Sequence, residues 1–363
     1  MSALEQESVM SYVGLYTIKV YVVLMLIWLG IFLKHEYSVS LHRRVVCSCE
    51  VGILLILAGV VAYDLSIRPI STVGDTSAYF DFYRDLAACG FDDGLEAAFI
   101  LLSKFLIYSD FTYTALFWIV PFVVILSYYV LAKVVFGKES IVPVILVSVL
   151  IFYPFFWSFS ANILRQGFAV SFLSLSFSAL LLGRQWVACL CLVLACLFHK
   201  SALIFLPCVI FLPMFASISF FKVCAMWVVV SLLSFTGMFS ALLGFIFGQL
   251  AEFNIAANYS NFAEEAYVTG FRWKFWLFSS FPVMCILLYM KISVMPSDKA
   301  KTFINFIAFL GVVHIALFDI AFNDRFGIYA WFYYPVIVAL IVRVLVERLR
   351  GTHKVGVVSV DAP

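Results

Sequence analysis

Nine stretches of this chain run apolar for long enough to cross a membrane, and that constrains its fold more than any motif does. At 1.5 Å of rise per residue, a helix needs about 20 apolar residues to span about 30 Å of hydrocarbon. Such stretches are read at 11–33, 45–63, 112–136, 139–158, 162–182, 222–247, 273–294, 302–321 and 327–348. Backbone in lipid must satisfy its own polar groups, so each stretch is expected as a helix. The composition agrees: of 363 residues 65% are hydrophobic and 12% charged, and the mean hydropathy is +1.09. Soluble domains lie far from these values. The expected fold class is all-α, a polytopic integral membrane protein, with residues 1–363 as a single transmembrane domain.

Charge sets the expected orientation. Lys34, Arg43 and Arg44 place the first loop in the cytoplasm by the positive-inside bias, which puts the N-terminus and the loop 64–94 outside. Residues 186–213 are apolar but interrupted by His199-Lys200-Ser201 and by Pro207 and Pro213. A single crossing there would turn Lys291, Lys299, Lys301, Arg343, Arg348, Arg350 and Lys354 outward. Two short helices with His199 at the outer turn keep them inside, giving about eleven passes, a second outer loop at 249–272 and a short cytoplasmic tail at 349–363. Residues 95–110, with Glu96 and Lys104, are expected as an interfacial or re-entrant helix on the outer face. The first ten residues lack a basic leader region, so the first apolar stretch is expected to be retained.

Several functions are disfavoured by the same composition. A net charge of +2, with the basic residues scattered over short loops, implies no nucleic-acid partner. The nine cysteines lie mostly in apolar runs and are expected as inert packing; Cys47-x-Cys49 stands without a second cluster.

The chemistry gathers in polar clusters at helix ends. Ser160 to Ala169 (SANILRQGFA) puts Asn162, Arg165 and Gln166 where an apolar helix starts. Asn162 is a candidate N-cap there, and Arg165 a candidate phosphate fork beside the free N–H groups of the helix start. A guanidinium at the hydrocarbon edge is costly unless it meets water, a carboxylate or an anion. Asp75 and Tyr79 sit in GDTSAY, Glu96 starts the next apolar run, His199 breaks the hairpin, and Arg325 lies in NDRFGIY. Arg272 closes the segment 249–272. Under the expected topology all of these face one side. Each also has a plainer reading: Arg165 as an arginine reaching toward lipid headgroups, Arg325 paired with Asp324, His199 as a satisfied turn histidine, Glu96 answering a helix dipole.

Four local patterns together resemble the EpsG family of bacterial exopolysaccharide and O-antigen repeat-unit polymerases, the Wzy group. They are GDTSAYFDFY followed about twenty residues later by Glu96, NILRQGFA after an aromatic-rich helix, LACLFHKSALIFLP, and NDRFGIY before the last span. The resemblance runs from about Arg68 to Leu340. It departs from the R-x10-G pattern of some such polymerases, since the eleventh residue after Arg165 is Ser176 and after Arg272 is Val283.

The resemblance implies a glycosyltransferase at the periplasmic face of the bacterial inner membrane, with the N-terminus periplasmic and the C-terminus cytoplasmic. It would move a growing glycan from undecaprenyl diphosphate to an incoming lipid-linked repeat unit. Its expected partners are those lipid-linked oligosaccharides and membrane lipids, with a chain-length regulator and a flippase of the same pathway. Carried over by position, Arg68, Tyr79, Asn162, Arg165, Gln166 and Arg325 bind substrate, joined by Arg272. His199, Asp75 and Glu96 are the candidates for the base. No cofactor and no metal are expected. Two other readings stay open: a lipid-linked oligosaccharide flippase, and a polyprenyl-phosphate-sugar glycosyltransferase with a metal held by Asp75, Asp81 or Asp92-Asp93.

Overall fold

The computed structural model describes Lys19, Val23, Leu26 and residues 43–70, 75–90, 95–137, 140, 142–239, 270–293, 297–320 and 323–349. These residues are helical throughout apart from the connections, and no strand occurs among them. The helices are α1 (Arg43–Ser66), α2 (Thr76–Cys89), α3 (Ala97–Tyr108), α4 (Tyr113–Phe136), α5 (Val142–Ile151), α6 (Pro154–Trp157), α7 (Leu164–Leu181) and α8 (Gln185–Phe198). After a 3-10 segment at Lys200–Phe205 come α9 (Leu206–Ser217), α10 (Phe220–Phe235), α11 (Trp273–Ile292), α12 (Asp298–Ala316), α13 (Asp324–Trp331) and α14 (Tyr334–Leu349). The apolar stretch 11–33, the loop 249–269 and the tail 350–363 lie outside the described residues, apart from the three named positions.

Five segments are long and apolar enough to cross a membrane: α4, α7, α11, α12 and the run Asp324–Leu349. A sixth arises if α5 and the stretch Pro154–Asn162, bent by 67° against each other, count as one broken span. The all-α membrane architecture therefore holds, with five or six such segments among the described residues where about eleven passes were expected. Among the described residues α8, α9 and α10 hold 14, 12 and 16 residues, too short to span a bilayer unaided, and the stretch expected at 11–33 lies almost wholly outside them. A short helix does occupy the stretch 95–110: α3, 12 residues and about 18 Å long at 1.5 Å per residue. The break expected at His199 is also present, with extended backbone (φ −160°, ψ 121°) between α8 and the 3-10 segment.

The chain divides into two compact units, Met1–Ile210 and Phe211–Pro363. In the first, α7 is the centre, packed on α4 and α8, with α1 on the far side of α4. Its seam is built from small residues, as close helix approach in lipid requires. Ser171, Ser174 and Ser178 return their hydroxyls to the carbonyls four residues back, and Ser176 donates to the Ala188 carbonyl at 2.8 Å. A Cβ on Gly167 would run into the Phe159 carbonyl and stand 2.8 Å from Val120 Cγ1. We expect Gly167→Ala to cost about 1–3 kcal/mol by overpacking. It should lower the thermal midpoint in detergent, while Gly59→Ala, with open space around it, should not; equal midpoints would contradict this packing.

In the second unit, α11 and α12 meet just as closely, since a Cβ on Gly311 would strike the Ser279 carbonyl. Beside that crossing, Trp331 donates its indole N–H to Ser279 Oγ at 3.0 Å, and Ser279 pairs with His314 Nδ1 at 2.7 Å. His314 is completely buried.

Candidate active site

The 67° bend between α5 and the stretch Pro154–Asn162 is what shapes the site. Tyr153-Pro154 ends the first half, and Ser158–Asn162 forms a wide π-helical turn ahead of α7. Such turns leave backbone groups for other partners, and Ala161 shows where they go. Its carbonyl accepts from Arg68 Nη2 at 3.0 Å and from the Thr76 hydroxyl at 3.2 Å. Arg68 also donates to the Leu65 carbonyl at 2.6 Å and to Thr76 Oγ1 at 3.3 Å, and its guanidinium lies 4.3 Å over the Phe117 ring. Only 3% of Arg68 is exposed. It stands inside the wall of the site and clamps the turn; it does not present a free fork to the surface.

Asn162 does not cap α7, which corrects the expectation that it would. The helix begins at Leu164 with Ile163 as its N-cap, and the Asn162 side-chain oxygen accepts from the Asp75 backbone N–H at 2.9 Å instead. The reason is the π turn, which keeps Asn162 out of the helix and faces its amide toward the start of α2. Asp75 precedes α2 and is exposed. Gln166 is buried in the α7 packing, with 1% exposed.

At the centre lies Glu96, on the extended residue before α3. One carboxylate oxygen accepts from Arg165 Nη1 at 2.5 Å, the other pairs with His199 Nδ1 at 2.8 Å. The carboxylate is 9% exposed, the histidine 10% and the arginine 25%. Three separate pieces of chain therefore deliver one polar trio. The Phe168 and Phe198 rings stack 4.6 Å apart and fix α8 against α7, which sets His199 beside Arg165 in depth. Tyr79 completes the group. Its ring lies 5.6 Å from Phe99, at the start of α3, and its hydroxyl faces the Arg165 guanidinium.

Burial alone would raise the Glu96 pKa, but the His199 hydrogen bond and the Arg165 charge outweigh it and hold it at about 2. A folded-state value below the ordinary carboxylate value stabilises the fold above about pH 4.5, and that contribution fades as pH falls through about 2. The carboxylate is therefore ionised at any working pH. Burial pushes the Tyr79 phenol upward, against the opposing effect of Arg165, so it stays a neutral hydroxyl.

Of the residues singled out in the sequence, Asp75, Tyr79, Glu96, Asn162, Arg165 and His199 come together, with Arg68 and Gln166 behind them. Arg272 and Arg325 belong to the second unit. Arg272 precedes α11 and lies 5.1 Å over the Phe275 ring, and Arg325 is in the first turn of α13. Thr76, Phe117 and Gly167 are the site-shaping residues that sequence reasoning passed over. Thr76 and Gly167 stand inside the quoted motifs, but nothing short of the fold shows that a carbonyl approaches each of them. Among the described residues, no three His, Cys, Asp or Glu side chains gather as a metal-ligand set.

In this all-helical chain an arginine, a carboxylate and a histidine converge beside the bend that precedes α7. The sequence matches the EpsG family over residues 51–359, most of its length, and the chain belongs to that family, one of Wzy-like polymerases. No curated protein and no solved structure matches it.

Proposed function

We propose that this chain is a glycosyltransferase that joins lipid-linked oligosaccharide repeat units into an O-antigen or exopolysaccharide. It works at the periplasmic face of the bacterial inner membrane, with undecaprenyl diphosphate as the leaving group. The observation that carries the reading is Glu96 standing between Arg165 and His199. One arm of the trio suits a diphosphate, the other a proton.

In the reaction, an acceptor sugar hydroxyl loses its proton to a base as its oxygen bonds the donor's anomeric carbon. The bond from that carbon to the diphosphate oxygen breaks, and its electron pair leaves with the lipid diphosphate. Arg165 neutralises the charge gathering on the departing group. Asn162, held by Asp75, and the Tyr79 hydroxyl line the approach, while Arg68 keeps the π turn in place. Gln166 supports the same helix start from within; Arg272 and Arg325, in the second unit, are proposed as substrate-binding residues. His199, Asp75 and Glu96 are the groups available as the base. A flippase delivers the substrate and a chain-length regulator limits the product. The N-terminus is periplasmic and the C-terminus cytoplasmic.

Because arginine carries the charge in this account, chelation should leave activity intact. Purified protein given a synthetic undecaprenyl-diphosphate oligosaccharide should form a ladder of products in EDTA. Activity lost to EDTA and restored by magnesium or manganese would favour the metal-dependent transferase that uses polyprenyl-phosphate sugars.

A further inference from the structure

The Arg165–Glu96 pair is a direct contact. Glu96 occupies one amine of the guanidinium, Tyr79 faces another part of it, and Arg165 Nε is buried with no partner. Counting formal charges at the site, Arg165 contributes +1, while Glu96 and Asp75 contribute −1 each. Arg68 adds +1 from inside the wall, where its N–H groups are engaged by Leu65, Thr76 and Ala161. His199 and Tyr79 face the pair from α8 and α2, and Lys200 follows His199 on the exposed side. A diphosphate entering this arrangement meets an arginine whose charge is already answered. Anion recognition by a planar fork requires that fork to be open.

We infer that Glu96 is a positioning residue shared between Arg165 and His199, and that the donor diphosphate takes its place on Arg165. This rests on the diphosphate reading given above. Once the anion has the guanidinium, the Glu96 carboxylate keeps only its bond to His199. It then accepts the Nδ1–H and leaves Nε2 as the acceptor nitrogen. His199 Nε2 is the atom that takes the acceptor hydroxyl's proton as the new C–O bond forms and the diphosphate leaves. Glu96 itself is a poor base, since both its oxygens are engaged and its carboxyl is held at about 2. The shared carboxylate thereby links the two functions: it holds His199 through Nδ1 from the start, and the donor headgroup displaces only its contact with Arg165.

The consequence runs against ordinary intuition about site mutations. Glu96→Gln removes a like charge from the anion site, so the donor headgroup should bind about tenfold more tightly, as relief of like-charge repulsion allows. The same change should lower turnover at least about a hundredfold, because the histidine loses its ionic anchor. Glu96→Asp keeps the charge and should retain wild-type affinity.

The test measures binding of farnesyl diphosphate and of inorganic pyrophosphate to the purified full chain and both variants, beside ladder formation with lipid-linked repeat units. Tighter binding of both probes by Glu96→Gln supports exchange at the headgroup alone, and tighter binding of farnesyl diphosphate only supports exchange with the lipid attached. Glu96→Gln binding no tighter than wild type, or Glu96→Asp tightening equally, overturns the exchange while leaving the diphosphate site standing. Glu96→Gln forming ladders at the wild-type rate overturns its role in aligning His199. Failure of the wild-type protein to bind either probe counts against the diphosphate reading itself, and the exchange falls with it.

Discussion

Cells carrying Arg165→Lys should assemble a single repeat unit on their surface glycolipid instead of a ladder, with the protein present in the membrane at normal level. Lysine keeps the charge but replaces a planar fork with a point charge, which cannot hold two phosphate oxygens in parallel. It also lacks the further N–H groups with which the guanidinium can meet the Tyr79 hydroxyl and an anion together. If Arg165 supplies a charge-assisted bond to the departing diphosphate in a poorly solvated pocket, its loss costs about 2–4 kcal/mol of transition-state stabilisation, roughly 30- to 1,000-fold in rate. A normal ladder from a normally expressed Arg165→Lys protein would reduce this residue to a partner for Glu96. Arg68→Lys should differ in kind: it loosens the clamp on Ala161, so protein level and thermal midpoint should fall together with activity.

The second large effect is expected at His199. Asparagine there keeps an N–H donor near the position of Nδ1 and can still bond Glu96 at the depth now held by a 2.8 Å contact. It has nothing at the position of Nε2. Proton transfer by a positioned side chain contributes about 10²–10⁴-fold. His199→Asn should therefore lose that much turnover with little change in affinity for the donor lipid. His199→Gly should recover part of the loss when imidazole is supplied, with the recovery growing as the solution pH rises and more imidazole is neutral. Retention of turnover within about threefold by His199→Asn, against the contribution expected of a positioned base, would leave His199 as a structural partner of Glu96 and nothing more.

Much of this was legible in the sequence because lipid enforces simple rules. The apolar runs at 112–136, 162–182 and 273–294 became α4, α7 and α11 within a few residues at each end, since a span cannot shed its backbone bonds in hydrocarbon. The break at His199 was legible for the same reason in reverse, because an interrupted apolar run has to turn where its polar residues stand. What stayed hidden depends on contacts between distant segments. Arg68 looked like a ligand-binding arginine, and only the fold shows that the carbonyls of Leu65 and Ala161 occupy it. Asn162 looked like an N-cap because its residue type suits one, yet the π turn at Ser158–Asn162 diverted it to Asp75. Glu96 could be read as a helix-dipole residue from sequence. Its pairing with Arg165 and His199 spans 69 and 103 positions of sequence, a separation that local patterns do not encode.

On the proposed reading, this protein lengthens a glycan and releases a lipid diphosphate for each bond it makes. The most direct measurement gives the purified chain, in proteoliposomes, one synthetic undecaprenyl-diphosphate repeat unit and follows the glycan and the lipid together. The expected result is a ladder of products spaced by one repeat unit, with one undecaprenyl diphosphate freed for every bond formed. Repeat units that cross the bilayer without growing, or growth that occurs only with a monophosphate-linked sugar donor, would contradict it.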